Sequence, residues 1–322
     1  EAIWLKPKSD VSEEQYKEFY QFTAHAMDEP RYTMHFSADA PLAINALLFV
    51  PGENAERMGL GAQPPGVALY CRKVLIDQHP EGLLPEWLRF LRGVIDSADL
   101  PLNISRESMQ DSALVRKLNE VLTKRYLKFL DKQSGADPEG YREFHDRFSR
   151  FLKEGIVASP THQELLAGLL RFGSSMTEGD ELTSLSGYLD RMKEGQEEIY
   201  YLVGSSREVL EKGPFFEGFR ARGLEVAFFT EAVDEYVLEA LREYKGKKLV
   251  AANRAGIELE ELPEEPEGES LSEEETEGLV SWLNSTLDDR VTRVDTGKRL
   301  VKHPMVALLP EDAPNAQMRA MM

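Results

Sequence analysis

The segment Gly93-Val-Ile-Asp-Ser-Ala-Asp-Leu-Pro-Leu-Asn-Ile-Ser-Arg-Glu-Ser-Met-Gln110 joins an apolar, strand-like run to a long helical pattern. Pro101 fixes its own φ and disfavours helix at Leu100. Asn103 and Ser105 are residue types that favour turns and helix N-caps. The segment therefore predicts a strand, a loop and a helix, in that order.

Arg106 falls in the first turn of that helix, where the helix dipole favours acidic rather than basic side chains. An arginine at this position is suited to bind an anion that the helix N-terminus also attracts. The alternative is a solvated surface arginine paired with Asp99 or Glu107, and local physical chemistry alone favours this plainer interpretation.

Upstream of this segment the sequence predicts one helix and several strands. Ser12-Glu-Glu-Gln15 is a capping-box pattern, so we expect a helix to about Met27. The expected strands are Tyr32–Ala38, Ala43–Val50, Val67–Ile76 and Phe90–Ile95. Ala43–Val50 is almost continuously apolar, as in a strand covered on both faces. The glycine and proline content of Pro51–Gly66 predicts a long mobile loop.

Three helical patterns follow the segment, with apolar stripes that begin near Leu114, Tyr141 and Leu165. Helix and strand patterns then alternate as helix Ser184–Glu194, strand Ile199–Val203, helix Ser206–Arg222, strand Val226–Phe229, helix Asp234–Tyr244 and strand Lys248–Ala252. This alternation predicts parallel strands with right-handed crossovers. The turn Gly204-Ser-Ser-Arg207 lacks a dinucleotide-binding glycine pattern and a phosphate loop, so we expect this unit to be a scaffold.

The last part of the chain contains an acidic run and then a further helical pattern. Glu258–Glu277 holds eleven glutamates and no basic residue, which is typical of a solvated linker. Ser272-Glu-Glu-Glu275 is a second capping box and predicts a helix to Leu287. Arg290–Thr296 and Met305–Leu309 are predicted strands.

Composition excludes several classes of function. The net charge of −19 argues against nucleic acid as a main partner, and no apolar run is long enough to span a membrane. The single cysteine, Cys71, excludes an internal disulfide framework and a cysteine-cluster metal site, and its strand pattern favours a plain buried thiol. The six histidines are scattered and form no metalloprotease motif, so no metal site is expected.

Four segments resemble the heat-shock protein 90 (HtpG) chaperone family. Leu100-Pro-Leu-Asn-Ile-Ser-Arg-Glu107 with Gln110 is similar to the catalytic loop of that family, and Leu84–Ser97 is similar to the segment that leads into it. Leu182–Gly195 and Ile199–Leu202 also resemble the family. Pro30–His35 and Gln110–Leu118 are most similar to the mitochondrial paralogue and its bacterial relatives, and the resemblance covers Ala2 to about Met322.

The resemblance implies a fragment that comprises the middle domain and a truncated C-terminal domain. The implied fold class is α/β: two α/β/α sandwich units joined by a helical connector and followed by a partial α+β C-terminal domain. The expected domains are a large middle subdomain with the catalytic loop at 1–130, the connector at 131–175, a small Rossmann-like subdomain at 176–255, the acidic linker at 256–272 and the truncated dimerisation domain at 273–322.

The resemblance also assigns functional residues. Arg106 would contact the γ-phosphate of ATP held by the chaperone's own N-terminal domain, which lies outside this sequence, and Gln110 would support the same loop. ATP and Mg²⁺ are then cofactors of the full-length protein and none is expected in the fragment, which we expect to be inactive as an ATPase alone. Partly folded client proteins are the expected partners, and the full-length protein is expected to be a homodimer.

Client-binding candidates are Trp4, the loop residues Met58 and Leu60, and the Met-rich end with Met318, Met321 and Met322. For Trp4 the alternative is an anchor of the N-terminal segment, and for the loop it is packing on the body of the domain. A purely client-binding scaffold without catalytic contribution is the alternative function. Bacterial-type motifs and acidic composition favour a bacterial cytoplasm over a mitochondrial matrix.

Overall fold

The computed structural model describes residues 2–59, 61–100, 113–261, 271–310 and 313. The chain divides into two compact units, Glu1–Leu170 and Arg171–Met322. Each unit contains a five-stranded mixed sheet together with helices, which confirms the expected α/β class. The finer expectations of two sandwiches, a connector at 131–175 and the remaining domain boundaries stay predictions.

Unit 1 is built on the first sheet. Helix α1 (Glu13–Ala24) starts at the predicted capping box, in which both the Ser12 and Gln15 side chains bond to the backbone. The strands are β1 (Tyr32–Ala38), β2 (Ile44–Val50), β3 (Gly66–Cys71), β4 (Val74–Asp77) and β5 (Arg92–Ser97), in the order β1-β2-β5-β3-β4. Only the β3–β5 pair is parallel. β2 is buried along almost its whole length, as its apolar sequence predicted.

The second part of unit 1 is helical. It comprises α2 (Ala113–Ala136), α3 (Pro138–Ala158) and α4 (Gln163–Leu169). Asp137 caps α3 and Pro138 occupies its first turn, where a missing N–H is harmless. An aromatic cluster joins α2 and α3 to the segment that precedes β5; its members are Phe90, Tyr126, Phe144, Phe148 and Phe151. These helices therefore contribute to the core of unit 1.

The predicted strand Val67–Ile76 is a hairpin of two strands, so this prediction was wrong in its extent. Arg72 and Lys73 form the two-residue turn between β3 and β4, with φ angles of 49° and 70°. Hairpin turns with two positive φ angles usually contain Asn and Gly. The sequence carried no such signal, because two basic residues adopt the left-handed conformation here.

Unit 2 contains the second sheet. Its strands are β6 (Gly173–Ser174), β7 (Glu198–Val203), β8 (Val226–Phe229), β9 (Glu243–Tyr244) and β10 (Lys247–Ala251), in the order β6-β8-β7-β10-β9. The β7–β8 and β7–β10 pairs are parallel, as predicted. The helices are α5 (Leu185–Arg191), α6 (Arg207–Lys212), α7 (Pro214–Ala221) and α8 (Asp234–Leu241). The single helix predicted for Ser206–Arg222 is two helices, because Pro214 holds Gly213 in an extended conformation.

The last described helix, α9 (Glu273–Leu287), begins at the predicted capping box of Ser272 and Glu275. The strands predicted for Arg290–Thr296 and Met305–Leu309 are absent from the described range 271–310, where only an isolated bridge between Arg254 and Leu309 occurs. Val294 bonds instead to the Asn284 side chain through both its N–H and its C=O. Local side-chain hydrogen bonds thus replace strand pairing in this segment.

Candidate functional site

The predicted catalytic residues Arg106 and Gln110 lie outside the described residues, as do Leu60, Met318, Met321 and Met322. The structure does describe both ends of the segment that carries Arg106. β5 ends at Ser97 and leads to Leu100, and α2 begins at Ala113. The strand before this segment and the helix after it agree with the sequence prediction.

Asp96, near the end of β5, is a buried carboxylate that joins three parts of unit 1. Its Oδ2 accepts a hydrogen bond from Trp4 Nε1 at 3.1 Å and another from the backbone N–H of Lys73 at 2.9 Å. A buried carboxylate is costly unless donors such as these satisfy it. The strand that leads to Arg106 is therefore fixed to the start of the chain and to the β3–β4 hairpin.

The residues after β5 are held by the sheet as well. The Asp99 carboxylate accepts a hydrogen bond from the backbone N–H of Ala43 at 2.8 Å. Leu100 is buried, and its carbonyl oxygen lies 3.0 Å from Cys71 Sγ, which donates to it. Burial raises the pKa of the Cys71 thiol, which suits the plain core thiol that the sequence predicted. Asp99, which sequence analysis considered as a partner of Arg106, here fixes the backbone before β2.

Trp4 is only 8% exposed. Its ring packs against Tyr70 and Phe19, with centroids 4.9 and 5.9 Å away, in the same core cluster as the buried residues of α1. The burial of Trp4 agrees with the alternative that Trp4 anchors the N-terminal segment. A direct role of Trp4 in client binding stays a prediction.

Met58 belongs to a loop that is tied to the body of unit 1 although its tip is exposed. Both Glu56 carboxylate oxygens pair with the Arg89 guanidinium at 2.7 and 3.0 Å, and Arg89 also pairs with Glu154. The hydrogen bond from Arg89 lowers the pKa of Glu56, although burial opposes it. Asn54 Nδ2 donates to the carbonyl oxygen of Arg147. The Met58 side chain remains 62% exposed beyond these anchors.

A groove of about 460 Å³ lies beside Met58 in unit 1. Its walls are mainly apolar and include Met27 and Met58, and Arg92 lies among the lining residues. Met27 is almost fully exposed. Flexible methionine side chains beside an apolar groove suit contacts with varied apolar partners.

The turn after β7 in unit 2 leads directly into α6. Ser206 caps α6, and Arg207 of that helix donates to the carbonyl oxygens of Thr177 and Gly179 and pairs with Glu211 at 2.7 Å. Because these internal contacts use its guanidinium, Arg207 serves the packing of the subdomain. The described part of the chain holds no cluster of three or more potential metal ligands and no helix long and apolar enough to cross a membrane.

Sequence comparisons identify the family. The family profile described as Hsp90 protein matches residues 1–322. The chain belongs to the Hsp90 family. This confirms the resemblance inferred from the motifs.

The chain is similar to Hsp90 proteins from bacteria and from mitochondria. It is 50% identical over 309 residues to the chaperone protein HtpG of Desulfitobacterium hafniense, covering 96% of this chain and 50% of that protein. It is 45% identical over 323 residues to HtpG of Desulfotalea psychrophila, covering 99% and 52%. It is 42% identical over 319 residues to the mitochondrial heat shock protein 75 kDa of Bos taurus, covering 96% and 45%. The chain thus spans about half the length of the curated Hsp90 relatives it matches.

Asp96, which anchors the strand leading to Arg106, was not among the functional residues predicted from the sequence. One signal was present, since Asp96 is an acidic residue at the end of the apolar run Gly93-Val-Ile. A charged residue in a buried strand needs a donor, and Trp4, 92 positions away, could not be recognised as that donor from periodicity.

Proposed function

We propose that this chain is the part of an ATP-dependent Hsp90 chaperone that supplies an arginine to ATP held by the preceding N-terminal domain. The family match across the whole chain, together with the loop sequence Leu100–Gln110, supports this proposal. The anchored segment Asp96–Leu100 adds physical support, because a residue that acts on a neighbouring domain requires a fixed base.

Arg106 has the chemistry that this role requires. Its guanidinium is permanently charged and planar, and it can donate two parallel hydrogen bonds to phosphate oxygens. Placed against the γ-phosphate, it would neutralise the charge that develops during phosphoryl transfer. Gln110, one helical turn further on, would hold the loop or contact the neighbouring domain. ATP and Mg²⁺ would be bound by the N-terminal domain, so the present chain alone should hydrolyse essentially no ATP.

The decisive experiment restores an N-terminal domain by fusing that of the Desulfitobacterium hafniense HtpG to this chain. We expect Arg106→Ala to lower kcat at least about tenfold, or roughly 1.4 kcal/mol of transition-state stabilisation, with the affinity for ATP little changed. Arg106→Lys should be nearly as impaired, because lysine cannot reproduce the planar fork. Arg142→Ala is the matched control, since Arg142 is exposed on α3. Unchanged turnover in Arg106→Ala would refute the catalytic assignment.

A second function, binding of partly folded clients, is favoured by the exposed Met58 and the adjacent groove. This function needs no ATP and would belong to the present chain itself. The other candidates would bind clients through segments outside the described residues; they are Leu60, Met318, Met321 and Met322. Trp4 would contribute only if it left the core cluster that buries it.

Client binding can be tested with reduced, carboxymethylated α-lactalbumin, which is permanently unfolded, by fluorescence anisotropy. We expect binding that changes little between low and high salt and that weakens at least about threefold in Met58→Ser, because the contact is apolar. Val209→Ser is the control, since Val209 is similarly exposed, at 58%, but lies in unit 2. Equal losses in both variants would show that Met58 has no special role.

Two further proposals concern the full-length protein. Family membership supports a homodimer for the full-length protein. The similarity to bacterial HtpG proteins supports a bacterial cytoplasm, with a mitochondrial matrix as the alternative because mitochondrial relatives also match.

A further inference from the structure

The chain leaves the core of unit 2 after Glu260 and returns to the same unit at Lys298. Between these points lies α9, in which no residue is buried. Leu279 and Trp282 of α9 are exposed, and Leu300 and Val301, just after the return point, are half-buried. Apolar burial therefore contributes little to holding this excursion, and polar contacts must account for the position of the returning chain.

Arg222 holds both ends of the excursion. This buried residue follows the last turn of α7. Its Nε donates to the carbonyl oxygen of Glu260 at 2.6 Å, and its Nη2 donates to the carbonyl oxygen of Lys298 at 2.7 Å. Its Nη1 donates to Gly218 within α7 at 2.8 Å. One guanidinium thus joins the point of departure and the point of return to α7.

Glu217, on α7, binds the returning chain through four hydrogen bonds. Its Oε1 accepts from the backbone N–H groups of Val301, Lys302 and His303 at 2.7, 3.3 and 3.2 Å. Its Oε2 pairs with the His303 Nδ1 at 2.8 Å. Successive backbone N–H groups that converge on one carboxylate form an anion-binding nest. Burial raises the pKa of Glu217, but these hydrogen bonds outweigh it, so its pKa lies below the usual value and the carboxylate is ionised at neutral pH.

Helix α7 and the returning chain also approach each other closely at Gly218, the residue after Glu217. A Cβ added to Gly218 would lie 2.2 Å from the carbonyl oxygen of Arg299. No real Cβ atom tolerates that distance to a backbone atom, so any other residue at position 218 would push the chain away. Glycine is otherwise unfavourable inside a helix, which suggests that the close approach is the reason for its presence.

We propose that Glu217 and Arg222 form a clasp that couples α9 and the chain after Lys298 to the second sheet. While the clasp is closed, the returning chain moves with the sheet. When it opens, residues 298–303 are released and the sheet stays folded, because the core of unit 2 does not include them, while the bridge between Arg254 and Leu309 still joins the later chain to the unit. The proposal goes beyond ATP hydrolysis and client binding, since it concerns how motion passes from this unit to the chain that follows.

Hydrogen–deuterium exchange of the 322-residue chain tests the clasp directly. In Glu217→Ala, we expect the amides of Val301, Lys302 and His303 to exchange at least about tenfold faster, while β7 and β8 remain as protected as before. Glu217→Gln should give a smaller increase, because its amide oxygen accepts hydrogen bonds without a charge. Glu208→Ala is the control, since Glu208 lies on the neighbouring helix α6 and forms an exposed pair with Lys212.

Gly218→Ala is an independent test that leaves the carboxylate in place. Alanine favours helix, so faster exchange at 301–303 in this variant would come from steric displacement of the returning chain and not from a weaker α7. Exchange at 301–303 within about threefold of the unmodified chain in both Glu217→Ala and Gly218→Ala would overturn the proposal. Equal acceleration throughout β7 and β8, or failure of both variants to fold, would also overturn it, because Glu217 would then support the whole unit.

Discussion

The indole Nε1 of Trp4 donates a hydrogen bond to Oδ2 of Asp96, 3.1 Å away and 92 positions further along the chain. The same oxygen binds the backbone of Lys73 in the β3–β4 turn. The first residues of the chain, the hairpin and the strand that leads to Arg106 therefore meet at one buried carboxylate. This junction gives a structural role to Trp4 independent of any contact with clients.

We expect Trp4→Phe to destabilise unit 1 by about 1–3 kcal/mol, because the buried Asp96 carboxylate loses one of its two donors. The measurement is urea unfolding followed by tryptophan fluorescence in a Trp282→Phe background. In that background Trp4 and Trp87, both in unit 1, are the reporters, and Trp87 remains when Trp4 is replaced.

Asp96→Ala completes a double-mutant cycle with Trp4→Phe. If the two residues interact as described, the double variant should be less destabilised than the sum of the single changes, with a coupling of about 0.5–3 kcal/mol. The background change Trp282→Phe should itself alter stability by less than about 0.5 kcal/mol, since Trp282 is 61% exposed. Strict additivity of the two changes would contradict a direct bond.

A substitution in the turn between β3 and β4 is expected to stabilise unit 1, in contrast to Trp4→Phe. Lys73 has a φ of 70°. This conformation is about 1 kcal/mol less favourable for a residue with a side chain than for glycine. Lys73→Gly should therefore stabilise unit 1 by about 0.5–1 kcal/mol in the same urea experiment, although the backbone entropy of glycine reduces the gain.

Gly82→Ala is the matched test of that physical reason. Gly82 has a φ of 79°, and a Cβ added there would meet no atom within 4 Å. The substitution should therefore cost about 1 kcal/mol through backbone strain alone. If Lys73→Gly were destabilising while Gly82→Ala was neutral, strain would not be the controlling term at either turn.

Local sequence patterns predicted most helices and strands, and the failures have specific physical causes. The capping boxes at Ser12 and Ser272 fixed two helix starts, because such signals act within one turn. The hairpin at Arg72 was missed because its turn residues are atypical. The strands predicted after Arg290 do not form in the described residues. Side chains such as Asn284 instead bond to the backbone N–H and C=O groups that a strand partner would otherwise bind.

The candidate site was less accessible to sequence reasoning than the fold. The motif around Arg106 could be recognised because it is contiguous in sequence. Asp96 and Glu217 have functions that depend on partners far along the chain, Trp4 and the 301–303 backbone. No local period or spacing contains that information, so only the folded chain brings these groups together.

The Glu56–Arg89 pair should stabilise the loop that carries Met58. Each of these side chains is only 10% exposed, so losing the charge in Glu56→Gln should destabilise unit 1 by about 1–3 kcal/mol at pH 7. Arg89 keeps its contact with Glu154, which limits the loss. Glu29→Gln is the control, because Glu29 forms an exposed pair with Lys17 and should change stability by about 0.5 kcal/mol or less.

The loss of stability caused by Glu56→Gln should depend on pH in a defined direction. The pKa of Glu56 is lowered on folding, chiefly by the hydrogen bond from Arg89, so the folded state favours its ionised form. This stability is fully present above the unfolded pKa of about 4.5 and is lost as pH falls through the folded pKa. The stability difference between the unmodified chain and Glu56→Gln should therefore be constant from pH 7 to 5 and shrink below about 4.5. A difference that grew on acidification would contradict this assignment.

His35, on β1, should remain neutral to lower pH than an ordinary histidine. Burial lowers its pKa, and this outweighs the hydrogen bond to the carbonyl oxygen of Trp4, which favours the charged form. That carbonyl can only accept, so neutral His35 carries its proton on Nε2, and Nδ1 accepts from the Tyr16 hydroxyl at 2.7 Å. Protonation of Nδ1 requires the Tyr16 hydroxyl to rotate, so that it accepts from Nδ1 instead of donating to it.

Titration of the His35 ring signals by NMR should give a pKa below 6.5 in the folded chain, and the unfolded chain in urea is the reference. Since the folded pKa is the lower one, the stability from neutral His35 is fully present above about pH 6.5 and is lost as pH falls through the folded pKa. Tyr16→Phe removes the donor to Nδ1 and should move the pKa of His35 back towards its ordinary value. An unchanged pKa in Tyr16→Phe would show that burial alone keeps His35 neutral and that the Tyr16 hydroxyl contributes nothing to its titration.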